Sequence, residues 1–312
     1  MLAAIMTSAA MRAVRLSTGS RVTLALVRHG KILRRYPLAG LIVAVTCVRV
    51  LDVGVRLHQV PHAIGYLAAV WLGAFLTDVV TAEPSITAEG FPIHRPAGRE
   101  AAVIVGFSAL GFCSLAIRFH GPWAGVGGLP PVERPAFVVL MLFFMFPIGL
   151  ALLYLFGYRY KLRELGATLQ GWYLGPVVLG IVGATALAVA PGGVLWRRLL
   201  HSWGLWWLLW IGLVDSALSE EFTRMLLQTR LAAVLKNTGM GFVTATFLWA
   251  CLHMPEFHAG GLHNTWFGAF LGTVPIMPIG FLWGYLTHRT KSLLPAVLVH
   301  GFNFWGLQNF HG

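Results

Sequence analysis

Three late segments of this chain place polar side chains inside apolar sequence. The first is Asp215-Ser216-Ala217-Leu218-Ser219-Glu220-Glu221-Phe222-Thr223-Arg224, which follows the uncharged run 203–214. The second is Phe247-Leu248-Trp249-Ala250-Cys251-Leu252-His253-Met254-Pro255, and the third runs from Ser292 through His300 to Asn303. A carboxylate, two imidazoles and a carboxamide can together support amide hydrolysis. The carboxylate takes a proton from water while one histidine orients that water. The other histidine and the asparagine hold the developing oxyanion. A charge in such apolar surroundings costs roughly 2.5–3.5 kcal/mol on insertion scales, so it is usually paired and usually functional. Glu220 and Arg224 are four residues apart and share a helix face, which predicts an ion pair between them. Glu221 points about 100° away from Glu220 and is free to meet another partner.

Each residue also has a plainer reading. Glu220 can be a salt-bridged helix end, His253 a core histidine bonded to a carbonyl, and His300 with Asn303 a polar pair joining helices. Asp215, one turn before Ser219, is either a second buried carboxylate or a packing contact. His253, His258 and His263 recur every five residues, a spacing that does not stack on one helix face, and Gly260-Gly261 interrupts them. No HExxH occurs, so a zinc mechanism of that kind has no support. Gly106-Phe107-Ser108 is followed by Ala109 and is a chance-level match to a serine-protease signature. The three cysteines, Cys47, Cys113 and Cys251, lie in apolar runs without paired spacing, which argues against a disulfide framework.

The elements that must carry these residues are membrane helices. Of 312 residues, 57% are hydrophobic and 11% charged, against about 25% charged in soluble domains. A crossing needs about 20 apolar residues. The expected spans are 37–57, 64–82, 101–119, 136–158, 173–190, 203–231, 241–255, 266–287 and 292–309, an all-α polytopic bundle of eight or nine crossings. The net charge of +12 fits basic cytoplasmic loops and anionic lipid rather than nucleic acid, because aromatic-and-basic interleaving outside the spans is lacking. Residues 1–36 contain Arg12, Arg15, Arg21, Arg28, Lys31, Arg34 and Arg35 and no acid. They read as a basic arm that keeps the N-terminus in the cytoplasm. The Gly- and Pro-rich stretch 121–135 reads as an outer loop. The basic stretches 159–163 and 288–291 read as inner ones, and Arg197-Arg198 falls on the wrong side of the alternation. Residues 37–312 form one membrane domain. Because the chemistry gathers after position 200, the first four spans and the last five are expected to form separate layers.

The last hundred residues resemble the CPBP family of intramembrane proteases, which includes the CAAX prenyl endopeptidases and the bacterial Abi proteins. That family shows EExxxR, then an aromatic four residues before a histidine, then HxxxN. Trp249 and His253 match the second motif, and Met254-Pro255 follows as in many bacterial members. The run from Trp283 to Leu294 resembles the lead-in to the third motif. The first motif here reads EExxR, one residue short. Aligned on Arg224, the family's first glutamate falls on Ser219; aligned on the pair, it falls on Glu220. A local helix irregularity can absorb the shift. Asn303 lies three, not four, after His300.

The resemblance implies a catalytic region at about 173–309 and peptide hydrolysis without a covalent intermediate. Glu220 or Glu221 is then the base, His253 its partner, and His300 with Asn303 the oxyanion donors, with Arg224 and Trp249 in support. It implies no cofactor and no metal, although such proteins have often been labelled metalloendopeptidases. The partners implied are membrane lipids and a membrane-associated peptide or protein, in a bacterial plasma membrane. Two other readings compete. One is an inactive relative serving as a scaffold or immunity protein, in which the polar groups do not converge. The other is a proton-coupled transporter, which requires a water-filled path to both sides.

Overall fold

The computed structural model describes residues 18–81, 91–120, 147–189, 201, 204–206, 209–259, 265–303, 306–308 and 310. The expected outer loop 121–135, the arginine pair Arg197-Arg198, His263 and the first part of the 136–158 span lie outside these residues. Among the described residues every regular element is helical.

Helix α1 (Thr18–Arg35) is followed by α2 (Pro37–Arg56) and α3 (Val60–Val80). Pro37 and Pro61 occupy the first turns of α2 and α3, where a missing N–H leaves nothing unsatisfied. Helix α4 (Ala97–His120) comes next. A short α5 (Ile148–Leu152) then widens into a π-turn over Leu153–Gly157, and α6 spans Leu174–Val189. A π-helical stretch, Trp210–Leu218, runs directly into α7 (Ser219–Val234). Helix α8 (Thr238–Leu252) starts where the Asn237 side chain accepts from the Met240 N–H at 3.0 Å, which satisfies one otherwise orphaned donor. Helices α9 (Met254–Ala259), α10 (Trp266–Thr273), α11 (Met277–Thr290) and α12 (Leu294–Gly301) complete the bundle.

Four helical stretches are long and apolar enough to cross a membrane: Pro37–Arg56, Val60–Val80, Ala97–Ile117 and Trp266–Thr290. The last is mostly enclosed by its neighbours. Among the described residues of the expected span 292–309, the helix covers Leu294–Gly301, and Phe302 and Asn303 are already outside it. The expected separation into early and late layers is not what forms. Ala39, Val50, Ala63 and Tyr66 share one core with Leu174, Val178, Trp249, Leu282 and Leu286. Helix α3 packs on both α6 and α11, and Tyr66 Oη donates to the Pro275 carbonyl and accepts from the Ile279 N–H, both at 3.0 Å.

Two buried carboxylates tie distant helices together. Asp78 on α3 is fully enclosed and meets Arg28 Nη1 at 2.9 Å, His29 Nε2 at 2.9 Å, Arg289 Nε at 3.0 Å and Tyr285 Oη at 2.6 Å. Helix α1, the described part of the basic stretch, is therefore anchored to the bundle. Glu100, at the start of α4, accepts from Arg230 Nε at 2.8 Å, Tyr160 Oη at 2.7 Å, Tyr154 Oη at 3.0 Å and the Arg95 N–H at 3.1 Å. These bonds hold α4 and the 154–160 segment against α7, the helix that carries the two glutamates.

Removing one partner from a buried ion pair costs about 3–5 kcal/mol, because the other charge is left uncompensated. Arg230→Met is therefore expected to lower the thermal midpoint of the full chain in detergent by several degrees at least, at roughly 2–4 °C per kcal/mol for a large domain, or to abolish folding. Adding Glu100→Gln should recover much of it. A midpoint unchanged by Arg230→Met would show that the pair does not bind the helices together.

Candidate active site

The site begins with the geometry of α7. Ser219 Oγ donates to the Asp215 and Ser216 carbonyls, which ties this hydroxyl to the backbone where the π-turns end. From there the helix is regular, so Glu220 and Glu221 diverge. Glu220 faces an interior cavity of about 420 Å³. Glu221 is fully buried, points away from that cavity and pairs with Arg224. The predicted Glu220–Arg224 pair is thus replaced by Glu221–Arg224. Positions three apart share a helix face as positions four apart do, and the Arg224 guanidinium is fixed a second time, donating from Nη1 to the Gly280 carbonyl at 2.6 Å. The irregularity that the shortened motif calls for lies upstream, in Trp210–Leu218, not between Glu221 and Arg224.

Helix α8 supplies the aromatic and the first imidazole. Trp249 Nε1 donates to Glu220 Oε2 at 2.5 Å. One turn later His253 ends the helix, just before Met254 and Pro255 start α9. Its Nε2 lies 3.6 Å from Glu220 Oε2, and its Nδ1 is 3.3 Å from Glu256 Oε2. The second imidazole arrives on α12. Gly301 makes this possible, because a Cβ there would fall 2.7 Å from Leu213 Cδ2 and 2.9 Å from the Gly212 carbonyl. The adjacent His300 consequently lies against the π-helical stretch. Its Nδ1 is 3.1 Å from Glu221 Oε1, and its Nε2 is 3.2 Å from Ser216 Oγ and 3.8 Å from Glu220 Oε2. Trp283 stacks on the ring at 3.7 Å between centroids.

The three segments therefore meet. Glu220, His253, His300, Trp249 and Arg224 line one cavity together with Asp215, Ser219 and an apolar wall from α4 that includes Phe107, Leu115 and Phe119. Among the described residues, Glu221 and Asn303 do not line it. Glu221 stands behind His300, and Asn303 Nδ2 donates to Gln308 Oε1 at 2.7 Å.

Three participants escape the motif reading. Ser216 sits one turn before Glu220, and its Oγ is 3.4 Å from Glu220 Oε1; that i−4 spacing was a visible signal. Glu256, three after His253, was equally visible by spacing. Trp283 opens the run that resembles the lead-in to the third motif, but no spacing marked its ring as the one that stacks on His300. Among the described residues no group of three or more His, Cys, Asp or Glu is arranged to hold a metal.

A carboxylate flanked by two imidazoles, enclosed by helices of an integral membrane protein, is what these residues define. Residues 201–305 match the family model described as Type II CAAX prenyl endopeptidase Rce1-like. The resemblance to CAAX-type intramembrane proteases carried by the three motifs is borne out over that segment, about a third of the chain. Neither the curated proteins nor the solved structures give a match.

The GxxxG pair Gly280 and Gly284 on α11 gives the site its room. A Cβ on Gly284 would collide with Arg224 Nη1, and one on Gly280 would lie 2.6 Å from Trp249 Cζ3. Overpacking of this kind costs about 1–3 kcal/mol. Gly280→Ala is expected to lower the thermal midpoint measurably, and Trp249→Phe in the same chain should relieve the collision and recover part of the loss. Equal midpoints for Gly280→Ala and the unaltered protein would mean that the indole is not packed against this glycine.

Proposed function

We propose that the chain is an intramembrane endopeptidase in which Glu220 activates water. The observation that carries this reading is the position of Glu220 Oε2, 3.6 Å from His253 Nε2 and 3.8 Å from His300 Nε2 within one cavity. Those separations are too long for good direct hydrogen bonds, but a water about 2.8 Å from the carboxylate and from His253 closes the triangle. Glu220 takes the water proton as the oxygen attacks the peptide carbonyl carbon. The resulting tetrahedral oxyanion is stabilised by His300, which is gripped at Nδ1 by Glu221. The C–N bond then breaks, and the Glu220 carboxyl returns its proton to the leaving amine. Trp249 holds the carboxylate, while Arg224 keeps Glu221 in place behind His300.

The substrate class this reading supports is an apolar peptide or protein segment at the membrane, since the α4 wall of the cavity is largely hydrophobic. Four long apolar helices and the shorter apolar helices Ile148–Gly157 and Leu174–Val189 among the described residues support a polytopic bundle. The basic arm on α1 supports a cytoplasmic N-terminus by the positive-inside rule. The Met254-Pro255 pair supports a bacterial plasma membrane as the setting. The convergence of the polar groups favours this reading over that of an inactive scaffold.

The test is cleavage of a quenched-fluorophore peptide with an apolar segment by the full chain reconstituted in liposomes. Loss of one member of a unit that acts together removes most of the rate. Glu220→Ala and His253→Ala are each expected to lower kcat by about 10³-fold or more. Glu220→Ala protein that cuts as fast as the unaltered chain would end the proposal.

A further inference from the structure

Asn303 is the residue whose motif position is displaced, and its amide is turned to Gln308 rather than to the cavity. Gln308 itself lines the cavity. Its described neighbours make specific contacts. Asn303 O accepts from the Gly306 N–H at 3.0 Å. His62 on α3 is buried, donates from Nε2 to the Leu307 carbonyl at 2.7 Å and stacks on Phe310 at 4.5 Å. Leu307 is fully enclosed in the main core. Gln308, next to the enclosed Leu307, is aimed by these contacts.

The direction of the Asn303–Gln308 bond decides which end of the Gln308 amide is presented. Asn303 donates through Nδ2, so Gln308 accepts through Oε1. A carboxamide is planar, with oxygen and NH₂ on opposite sides of one carbon. With its oxygen held by Asn303, Gln308 has its two N–H donors turned the other way. We propose that Gln308 is the amide donor to the oxyanion in this chain and that Asn303 is a positioning residue acting through it. The one-residue shortening of the third motif is thus compensated by a longer side chain five positions on. This rests on the hydrolase reading above, whose base and imidazoles it leaves unchanged.

Two measurements test it. In the liposome peptide assay, loss of a single oxyanion donor typically lowers kcat by about 10²–10³-fold. Gln308→Ala should fall in that range with KM little altered, and Gln308→Glu, the same shape without the donor, should lose as much. Asn303→Asp can only accept from Gln308, which reverses the amide and should lower kcat similarly. In a Gln308→Ala background, Asn303→Asp should cost nothing further, as expected for residues acting through one contact. Unaltered kcat in Gln308→Ala, or a full additional loss from Asn303→Asp in that background, overturns the proposal. The second measurement needs no activity. In chains with Cys47, Cys113 and Cys251 changed to Ser, Gln308→Cys should react with a small charged methanethiosulfonate and Asn303→Cys should not; the reverse pattern overturns the assignment. If the unaltered protein cuts no peptide, the hydrolase reading fails and the oxyanion role with it. The labelling pattern then still decides which amide lines the cavity.

Discussion

The guanidinium of Arg224, closed off between the Glu221 carboxylate and the Gly280 carbonyl, is the constraint from which the rest of the site follows. A cation so enclosed must be paired, since leaving it alone costs several kcal/mol. Once it takes Glu221, that carboxylate is turned to the protein side of α7, and the neighbouring Glu220 is turned by about 100° to the other. The bond to Gly280 joins α7 to α11 at a point where the small-xxx-small spacing lets the backbones approach. Glu221 then has one oxygen left for His300, so a single ion pair orients the neighbouring Glu220 carboxylate, the second imidazole and the aromatic that stacks on it.

The remaining buried charges do for the bundle what this pair does for the site. Glu100 with Arg230 holds α4, the apolar wall of the cavity, against the helix that bears Glu220. Asp78 with Arg28, His29 and Arg289 joins α1, α3 and α11 at another place. In an apolar environment such groups cannot be left unmatched, and each match specifies one arrangement of helices among many that bury similar area. The close seat of Gly301 on the π-helical stretch adds a steric choice to these electrostatic ones.

A good part of the site was legible beforehand. Polar side chains in otherwise apolar helices are expensive, so Glu220, His253 and His300 stood out by type and setting alone, and Trp249 by its motif spacing. The pairing was not legible. Glu220–Arg224 at four and Glu221–Arg224 at three are both compatible with a helix face, and contacts with distant residues, Gly280 to Arg224, Trp249 to Glu220 and His300 to Glu221, go with the second. Nor was the division into layers, because Tyr66 and Ala63 are apolar surface that any neighbour could cover. They lie beside Leu282 and Val178 for reasons of overall packing. Asn303 was named for its distance from His300, yet its amide goes to Gln308, whose neighbour Leu307 is held by His62, 245 residues before it.

By itself the amino-acid sequence determined that the chain is helical and built for a membrane, that it carries an acid and two imidazoles in apolar segments, and which helices bear them. These follow from composition, apolar run length and residue type, all of which are local properties. The tertiary structure alone decided that Glu220 rather than Glu221 faces the cavity, that Trp283 and Ser216 hold His300, and that Gln308 rather than Asn303 lines the wall. Those outcomes depend on contacts between residues far apart in the chain. Several local geometries there are of nearly equal energy, and the packing of distant helices selects one.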